Sequence, residues 1–325
     1  MSTSVLIVNF RGYADLERCL HSLDSQLRPG NDVIVLDNES DEASAAAITR
    51  AYPFALMIPS GVNLGFAAGV NVAARHARNR FLMVLNPDTV VEGPVIRVLE
   101  DFCESHPDSA VVGPRILNGD GSVQPSARAF PSFSTLFGGR SAWLTRRYPR
   151  NPWARRNLLG LDAAAPLRAD WISGSCLMTR RDVFERLGGF DEAFFLYWED
   201  ADYCRRVAEL GYARMYVPSV SVRHFGGGSA RYNLARAIRE FHASAYVLYC
   251  RQTGSIGRAA APIVRAGLYV RGELRVRSAL ARMAEPVSVV PEPPARAVSA
   301  GPLAAPPFEA TASRARESHL ESAAT

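Results

Sequence analysis

The first third of the chain alternates short apolar runs with longer polar segments. Residues 5–10, 32–38, 55–60 and 81–88 are rich in large apolar side chains and are too short for typical helices. Nearly continuous apolarity of this kind is typical of parallel strands that are buried on both faces. Helical periodicity follows at residues 14–27 and again at residues 66–78. The alternation predicts an α/β fold with a mostly parallel central sheet flanked by helices.

The remaining chain changes character three times. Residues 120–170 are rich in proline, glycine and arginine, which favours loops and short helices lying over a site. Ordered structure is predicted to resume at residues 169–192 as strand, turn, helix and turn, and residues 231–254 predict an amphipathic basic helix. After about residue 285, proline, alanine and serine dominate, which predicts a disordered tail.

Length and cysteine content narrow the class of protein. A chain of 325 residues accommodates one large α/β unit with appendages. Its five cysteines are odd in number and show no C-x-x-C spacing, so neither a disulfide framework nor a structural zinc site is indicated. The N-terminus resembles a strand more than a signal peptide, and no apolar window is long enough to span a membrane. A cytoplasmic protein is expected, with peripheral attachment to the inner face of the cell membrane as an addition.

Basic residues concentrate in the second half of the chain. The formal net charge is +5, all 37 basic residues are arginine, and residues 205–285 contain fourteen arginines against four glutamates. Such a segment suits anionic partners, including phospholipid headgroups or a lipid diphosphate, whereas no nucleic-acid-binding motif accompanies it. The helix that carries Arg236, Arg239 and Arg251 is predicted to rest on an anionic membrane. A solvated surface that packs a partner subunit is the alternative, so a dimer is compatible with the sequence.

Polar residues close the predicted strands, where ligands bind in open α/β sheets. Asn9 ends the first run, and Asp37 with Asn38 ends the second, where the pair can hydrogen-bond a uracil or thymine edge or a ribose. The alternative is that the segment around them simply begins the next helix.

The segment NLGFAAGVN, residues 63–71, combines two asparagines with glycines at a helix start. Gly65 allows a backbone to approach a ligand closely, which suits a nucleotide held by Asn63 and Asn71. Glycine with asparagine is also ordinary loop composition.

Two further residues are candidates for binding a metal ion or a diphosphate. Asp88 follows Asn86 and Pro87 at the end of the fourth run, where a hard divalent cation and a diphosphate can meet. His224 ends a strand-like segment and precedes the glycine run 226–228, which with Arg231 can form an anion cradle or a mobile lid. The alternatives are a turn aspartate and a structural histidine.

The densest chemical cluster lies at residues 188–206, where carboxylates are set among aromatic side chains. Carboxylates in such surroundings tend to have raised pKa values and can serve as a general base. Glu199 and Asp200 are the predicted catalytic pair. Asp202 is predicted instead to pair with Arg205 or Arg206 on a helix.

Taken together and in this order, the motifs at residues 4–232 resemble family 2 of the inverting glycosyltransferases, particularly its bacterial rhamnosyltransferase-like members. The resemblance implies a GT-A fold, a nucleotide-diphosphate sugar donor and Mg²⁺ or Mn²⁺. It implies that Asp37, Asn38 and residues 63–71 hold the nucleotide, and that Asp200 is the catalytic base. It further implies that Asp88 is the last acid of the family's metal-binding DXD motif, near His224. Asn86 departs from that motif, because the family has an acid there.

A narrower similarity concerns the acceptor. Residues 120–132 and 151–153 are similar to rhamnosyltransferases that extend polyprenyl-diphosphate-linked sugars in cell-wall assembly. The expected reaction is transfer of L-rhamnose from dTDP-rhamnose to such an acceptor or to another cell-envelope glycan. The expected division is a donor-binding half at residues 1–120, an acceptor-binding half at 121–232, a basic helical extension at 233–284 and the tail at 285–325.

Other sugar donors and other classes of protein were weighed against this expectation. UDP-GlcNAc, UDP-galactose or GDP-mannose are alternative donors, and a sugar nucleotidyltransferase would share the sheet type. A dinucleotide oxidoreductase lacks support because no G-x-G-x-x-G follows the first strand. A P-loop kinase is excluded because the chain contains no lysine. A non-catalytic relative is expected to have lost Asp88 or Asp200, and both are present.

Overall fold

A ten-stranded mixed sheet lies at the centre of the computed structural model, which describes residues 2–130, 147–148, 158–226 and 230–284. The strands are β1 (Thr3–Phe10), β2 (Asp32–Asn38), β3 (Ala55–Ser60), β4 (Phe81–Leu85), β5 (Thr89–Glu92), β6 (Ser109–Leu117), β7 (Val123–Gln124), β8 (Ala127–Arg128), β9 (Leu158–Leu159), β10 (Leu167–Arg168), β11 (Trp171–Ile172), β12 (Cys176–Arg180) and β13 (Ala213–His224). The α-helices are α1 (Tyr13–Asp24), α2 (Glu42–Ala51), α3 (Phe66–His76), α4 (Val95–Ser105), α5 (Arg181–Arg186), α6 (Glu199–Glu209), α7 (Leu234–Gln252) and α8 (Ser255–Ala284).

The sheet order brings the ends of several strands to one edge. The main path runs β10-β13-β6-β12-β4-β1-β2-β3, with β5 beside β13 and β7 beside β6. Strands β3, β2, β1 and β4 pair in parallel, as do β6 and β13, whereas β12 runs antiparallel between β4 and β6. The carboxyl ends of the parallel strands therefore lie beside the amino end of β12. This arrangement confirms the predicted mostly parallel α/β fold.

Helices cover both faces of the sheet, as the continuous apolarity of the strands requires. Along β1, Val5 and Ile7 pack into one core with α1 and α4, and Leu6 and Val8 pack into a second core with α3 and α6. Strands β11, β8 and β9 form a separate small sheet, and Trp171 and Ile172 of β11 pack into the second core. Residues 1–284 form one compact unit.

Several predicted boundaries shift. The fourth apolar run ends as a strand at Leu85, because a turn begins at Asn86 and its second residue, Pro87, cannot donate to a ladder. Asp41 begins α2 by accepting a hydrogen bond from the backbone of Ser44 at 3.0 Å. The predicted basic helix begins at Leu234, where Asn233 caps it through the Arg236 amide. The glycine run from 227 onwards, much of the predicted loop region at 131–157 and the predicted tail lie outside the described residues. In the described part, no helix is long and apolar enough to cross a bilayer.

Candidate active site

A tight turn sets Asp88 at the crevice. The Thr89 amide donates to the Asn86 carbonyl at 3.2 Å, and Pro87 occupies the second position of the turn, where its fixed φ is favourable. The Asp88 carbonyl accepts a hydrogen bond from the Phe225 amide at 3.0 Å, which ties the turn to the end of β13. The backbone thus forms the turn while the carboxylate faces His224.

His224 joins the two ends of the Asn86–Asp88 motif. Its Nε2 atom lies 3.1 Å from Asp88 Oδ1 and 3.3 Å from Asn86 Nδ2. Its Nδ1 atom lies 3.0 Å from Gln124 Oε1, an acceptor, so we assign the proton of the neutral ring to Nδ1. The lone pair on Nε2 then points toward the Asp88 carboxylate. In the described parts of the chain, no three His, Cys, Asp or Glu side chains cluster as a metal site.

Asp200 is held by two backbone amides. It lies in the first turn of α6 and is 8% exposed; its Oδ2 accepts from the Gly174 amide and its Oδ1 from the Ala201 amide, both at 2.8 Å. Burial raises the pKa of Asp200, although these hydrogen bonds and the charge of Arg128 act to lower it. The carboxylate is therefore oriented by the backbone and made more basic than an exposed aspartate.

Glu199 precedes Asp200 and is 5% exposed, and its Oε2 atom has no hydrogen-bond partner among the described residues. Burial and the negative charge of Asp200 raise the pKa of Glu199 well above its ordinary value. The pKa of the neighbouring Tyr197 is also raised, by burial and then by the charges of Glu199 and Asp88. Tyr197 therefore lies within electrostatic range of both Glu199 and Asp88.

The backbone before α6 is strained. Tyr197 and Trp198 have φ values of 69° and 72°, in the left-handed region that bulky residues rarely adopt. Aromatic contacts hold the second residue there: the Trp198 ring centroid lies 6.1 Å from that of Trp171 and 5.3 Å from that of Phe241. Consecutive residues of this kind cluster at functional sites, and here they set the direction in which Glu199 and Asp200 enter the helix.

Asp37 lies fully buried at the end of β2. Its Oδ1 accepts from Asn9 Nδ2 and its Oδ2 from the Tyr13 hydroxyl, each at 2.8 Å. The Tyr13 oxygen in turn accepts from the Asp41 amide at 2.8 Å, and burial is the main cause that raises the pKa of Tyr13 to about 12. Asn9 Oδ1 is buried without a hydrogen-bond partner among the described residues. Orphaned acceptors of this kind call for an explanation, and a ligand N–H is one.

Asn38 shapes the loop that precedes α3. Its Oδ1 accepts from the Leu64 amide and its Nδ2 donates to the Gly65 carbonyl, both at 3.0 Å, while Asn63 Oδ1 accepts from the Gly65 amide at 2.9 Å. Gly65 has φ +86°, and a Cβ added there would lie 2.5 Å from the Phe195 carbonyl oxygen. The glycine is thus required by contact with the aromatic segment 194–198, which the Phe66 amide also joins by a 2.7 Å hydrogen bond to Phe195.

Other predicted residues lie elsewhere. Asn71 is not brought to the crevice: its Nδ2 donates to the Phe190 carbonyl at 2.8 Å, and its Oδ1 accepts from the Phe190 amide at 2.9 Å. The side chain of Arg231 lies outside the described residues. Asp202 forms a buried ion pair with Arg206 at 2.7 Å, as its helical spacing predicts.

Sequence reasoning missed four residues that support the site: Tyr13, Gln124, Arg128 and Gly174. Two of them, Gln124 and Arg128, lie inside residues 120–132, where the sequence shows a similarity to rhamnosyltransferases but no pattern that marks either side chain. Gly174 carries the amide that holds Asp200, and a Cβ added to it would lie 3.5 Å from Asp200 Oδ2.

Solved structures identify the fold. The mannosyltransferase PcManGT from Pyrobaculum calidifontis, in complex with GDP-Man and Mn²⁺, matches with a TM-score of 0.51 and 18% identity over 88% of this chain and 76% of that one. GalNAc-T7 with UDP, GalNAc and Mn²⁺ matches with a TM-score of 0.54 and 16% identity over 87% of this chain and 57% of that one. The fold is therefore of the GT-A type, as predicted.

Sequence comparison identifies the family to which the chain belongs. The family model described as glycosyl transferase family 2 matches residues 4–188, and the chain belongs to that family. The N-acetylglucosaminyl-diphospho-decaprenol L-rhamnosyltransferase of Mycobacterium tuberculosis is 33% identical over 292 residues, covering 86% of this chain and 94% of that protein. The rhamnosyltransferase WbbL of Escherichia coli K12 is 24% identical over 64% of this chain and 77% of its own. The protein is a glycosyltransferase, and its predicted resemblance to bacterial rhamnosyltransferases is confirmed.

Proposed function

We propose that this enzyme transfers L-rhamnose from dTDP-rhamnose to a polyprenyl-diphosphate-linked sugar, with inversion at the anomeric carbon. The observation that carries the proposal is the match to the mycobacterial rhamnosyltransferase, which extends over 94% of that protein. The convergence of Asn86, Asp88 and His224 on one point, near Tyr197 and the carboxylates of α6, supports a site for diphosphate departure beside a base.

The residues at the Asp88 turn fit a divalent cation. Asp88 Oδ1 lies 3.1 Å from His224 Nε2, whose lone pair faces it. Two electron-rich atoms this close repel each other, and a cation or a proton between them relieves the repulsion. One carboxylate oxygen with one imidazole nitrogen suits Mn²⁺ better than Mg²⁺, which prefers oxygen ligands. When bound there, the cation would neutralise charge that develops on the departing diphosphate.

Asp200 is proposed as the general base. Each of its oxygens accepts one backbone hydrogen bond, and a carboxylate oxygen has a second lone pair for the acceptor hydroxyl. As the hydroxyl oxygen bonds to the anomeric carbon, its proton passes to Asp200 and the bond from that carbon to the diphosphate oxygen breaks. The electron pair leaves with the nucleoside diphosphate. The raised pKa of Asp200 improves its match to this task.

The nucleobase is proposed to lie against Asp37 and Asn9. The Asn9 side-chain oxygen Oδ1 is buried and unpartnered among the described residues, and it can accept the ring N–H of thymine. Asn38 and Asn63 act by holding the loop that ends at Gly65, so their contribution to the nucleotide site is to its shape.

A donor screen tests the proposed function. Isothermal calorimetry and thermal shift are measured with dTDP-rhamnose, UDP-GlcNAc, UDP-galactose and GDP-mannose, each with and without Mn²⁺. We expect dTDP-rhamnose to bind tightest, with a gain from Mn²⁺ that Asp88→Asn abolishes. A different winning donor overturns the assignment of rhamnose, and pyrophosphate release from a nucleoside triphosphate would identify a nucleotidyltransferase instead.

A further inference from the structure

An apolar strip runs along the outer face of α8. Ile263, Gly267, Val270 and Leu274 recur at spacings of three and four and lie on one side of the helix. The three larger side chains are 78%, 55% and 60% exposed, respectively. The opposite side of α8 faces α7 and is the buried one, where a Cβ added to Gly272 would lie 3.4 Å from the His242 ring. The strip is thus an exposed patch of the kind that marks an interaction site.

Arginines border this strip. Helix α8 contains six arginines and a single acid, Glu273. That acid is already paired with Arg239 of α7 at 2.7 Å. Arg271 and Arg275 line the same shallow groove as the apolar side chains. Apolar side chains flanked by cationic ones are a feature of helices that lie in a membrane interface.

The arginines that the sequence singled out are engaged within the chain. Arg239 pairs with Glu273, Arg251 pairs with Asp191, and the Arg236 guanidinium lies 4.4 Å from the centre of the Phe195 ring. Through Asp191 and Phe195, helix α7 therefore packs on the segment before α6, and the surface that faces outward belongs to α8.

We infer that α8 docks the enzyme flat on an anionic lipid surface, with the strip in the apolar layer and the arginines among the headgroups. A second copy of the chain fits this face less well. Two strips packed against each other would bring Arg271 and Arg275 near the same residues of the partner, and the exposed face of α8 has no acid to offset them. Anionic headgroups supply the complementary charge.

The position of α8 connects this surface to the catalytic residues. Helix α8 packs on α7, whose Phe241 contacts the Trp198 ring and whose Ser244 hydroxyl donates to the Leu196 carbonyl at 2.9 Å. Glu199 and Asp200 follow directly. Docking would thus hold the acceptor side of the cleft at the membrane, where a lipid-linked sugar lies. That link to the acceptor rests on the proposed function, whereas the docking surface does not.

Vesicle flotation with the full chain tests the inference. Binding is compared on vesicles of phosphatidylcholine alone and of phosphatidylcholine with phosphatidylglycerol in equal parts. We expect binding to the anionic vesicles that falls with added salt. The variant Arg271→Gln/Arg275→Gln should bind about thirtyfold more weakly, since each arginine near such a surface contributes roughly fivefold. The variant Val270→Ser/Leu274→Ser should also bind more weakly.

Matched controls separate the outcomes. Arg50→Gln/Arg78→Gln removes two exposed arginines that lie away from α8, one on α2 and one in the loop after α3, and should bind like the parent. All variants should keep the parent's transfer rate on a water-soluble short-prenyl acceptor, which shows that they are folded. Equal loss in the control pair, binding to neutral vesicles alone, or a dimer that the strip variant dissociates would overturn the inference. Vesicle binding without rhamnose transfer would instead contradict the proposed function.

Discussion

Gln124 Oε1 lies 3.0 Å from His224 Nδ1 and thereby decides which ring nitrogen faces Asp88. The partners are separated by 100 residues and meet because β7 pairs with β6 while β13 pairs with the other edge of β6. Partners of this kind tune metal-binding histidines by fixing the tautomer and ring orientation.

We expect Gln124→Leu to weaken Mn²⁺ binding by roughly 10- to 100-fold, because His224 loses the acceptor that holds its Nδ1 proton. Calorimetric titration of the donor-free protein with Mn²⁺ measures this directly. The variant Gln124→Glu keeps an acceptor at the same place and should bind Mn²⁺ at least as tightly as the parent. Equal affinity in the leucine variant would remove Gln124 from this role.

Asp200→Asn should leave donor binding nearly intact while lowering turnover by roughly 100- to 10,000-fold, because the acceptor proton loses its base. Calorimetry with the donor and a rate measurement at saturating substrates separate the two effects. Asp202→Asn is the matched control on the same helix. Loss of its buried pair with Arg206 should cost about 3 kcal/mol of stability but little of the turnover per folded molecule. Full turnover in Asp200→Asn would contradict the proposed base.

The rate should depend on pH through the same carboxylate. Because burial raises the pKa of Asp200, kcat/KM should fall as pH drops through a value above the ordinary aspartate pKa of about 3.9. The residual activity of Asp200→Asn should lack this acid limb. A parent profile that stays flat down to the ordinary aspartate pKa would count against a buried base.

Glu199→Gln should raise the free energy of unfolding at neutral pH. The folded protein holds this carboxyl at a raised pKa, so it binds protons more tightly than the unfolded chain, and stability rises as pH falls through that raised pKa. The advantage of the glutamine variant should therefore shrink on acidification and vanish near the ordinary glutamate pKa of about 4.3. Chemical denaturation at several pH values measures it, and a variant less stable than the parent at neutral pH would refute the account.

Gly65→Ala should cost roughly 3 kcal/mol of stability, from left-handed strain and from overlap with the Phe195 carbonyl. Gly93→Ala is the matched control, since Gly93 has φ +72° but open space around its Cβ position, and it should cost about 1 kcal/mol. Denaturant titration compares them. Equal costs would mean that the contact between Gly65 and Phe195 is not tightly packed.

The sequence predicted the sheet and most of the crevice because apolar runs mark buried strands and the polar residues that end them must meet at one edge. That rule alone was enough to predict Asp37, Asp88 and His224 as site residues. Asn71 lies in helix α3 and not at the end of a strand, so that rule does not apply to it, and the phase of the helix decides which way its side chain points. Gly69 faces the sheet near Val8 and Leu36, so a residue two positions later lies about 200° around the helix, away from the strands.

The supporting residues Tyr13, Gln124 and Gly174 could not be predicted from the sequence, for a different reason. Gln124 and Gly174 lie in short segments without strong periodicity, and each matters through a partner that is distant along the chain. Tyr13 is the first residue of α1, where its hydroxyl reaches two aspartates, and an apolar helix face gives no sign of such a contact.

The strained pair Tyr197–Trp198 bears on where the catalytic machinery ends along the chain. The family model matches only to residue 188. The Trp171 ring helps to brace this pair, but the Phe241 ring and the Ser244 hydroxyl, which also hold it, come from α7, which ends at Gln252. A fragment that stops before Leu234 would let both residues relax to ordinary backbone angles and would release the amino end of α6. We therefore regard the first of the two C-terminal helices as part of the smallest piece of this enzyme that can work.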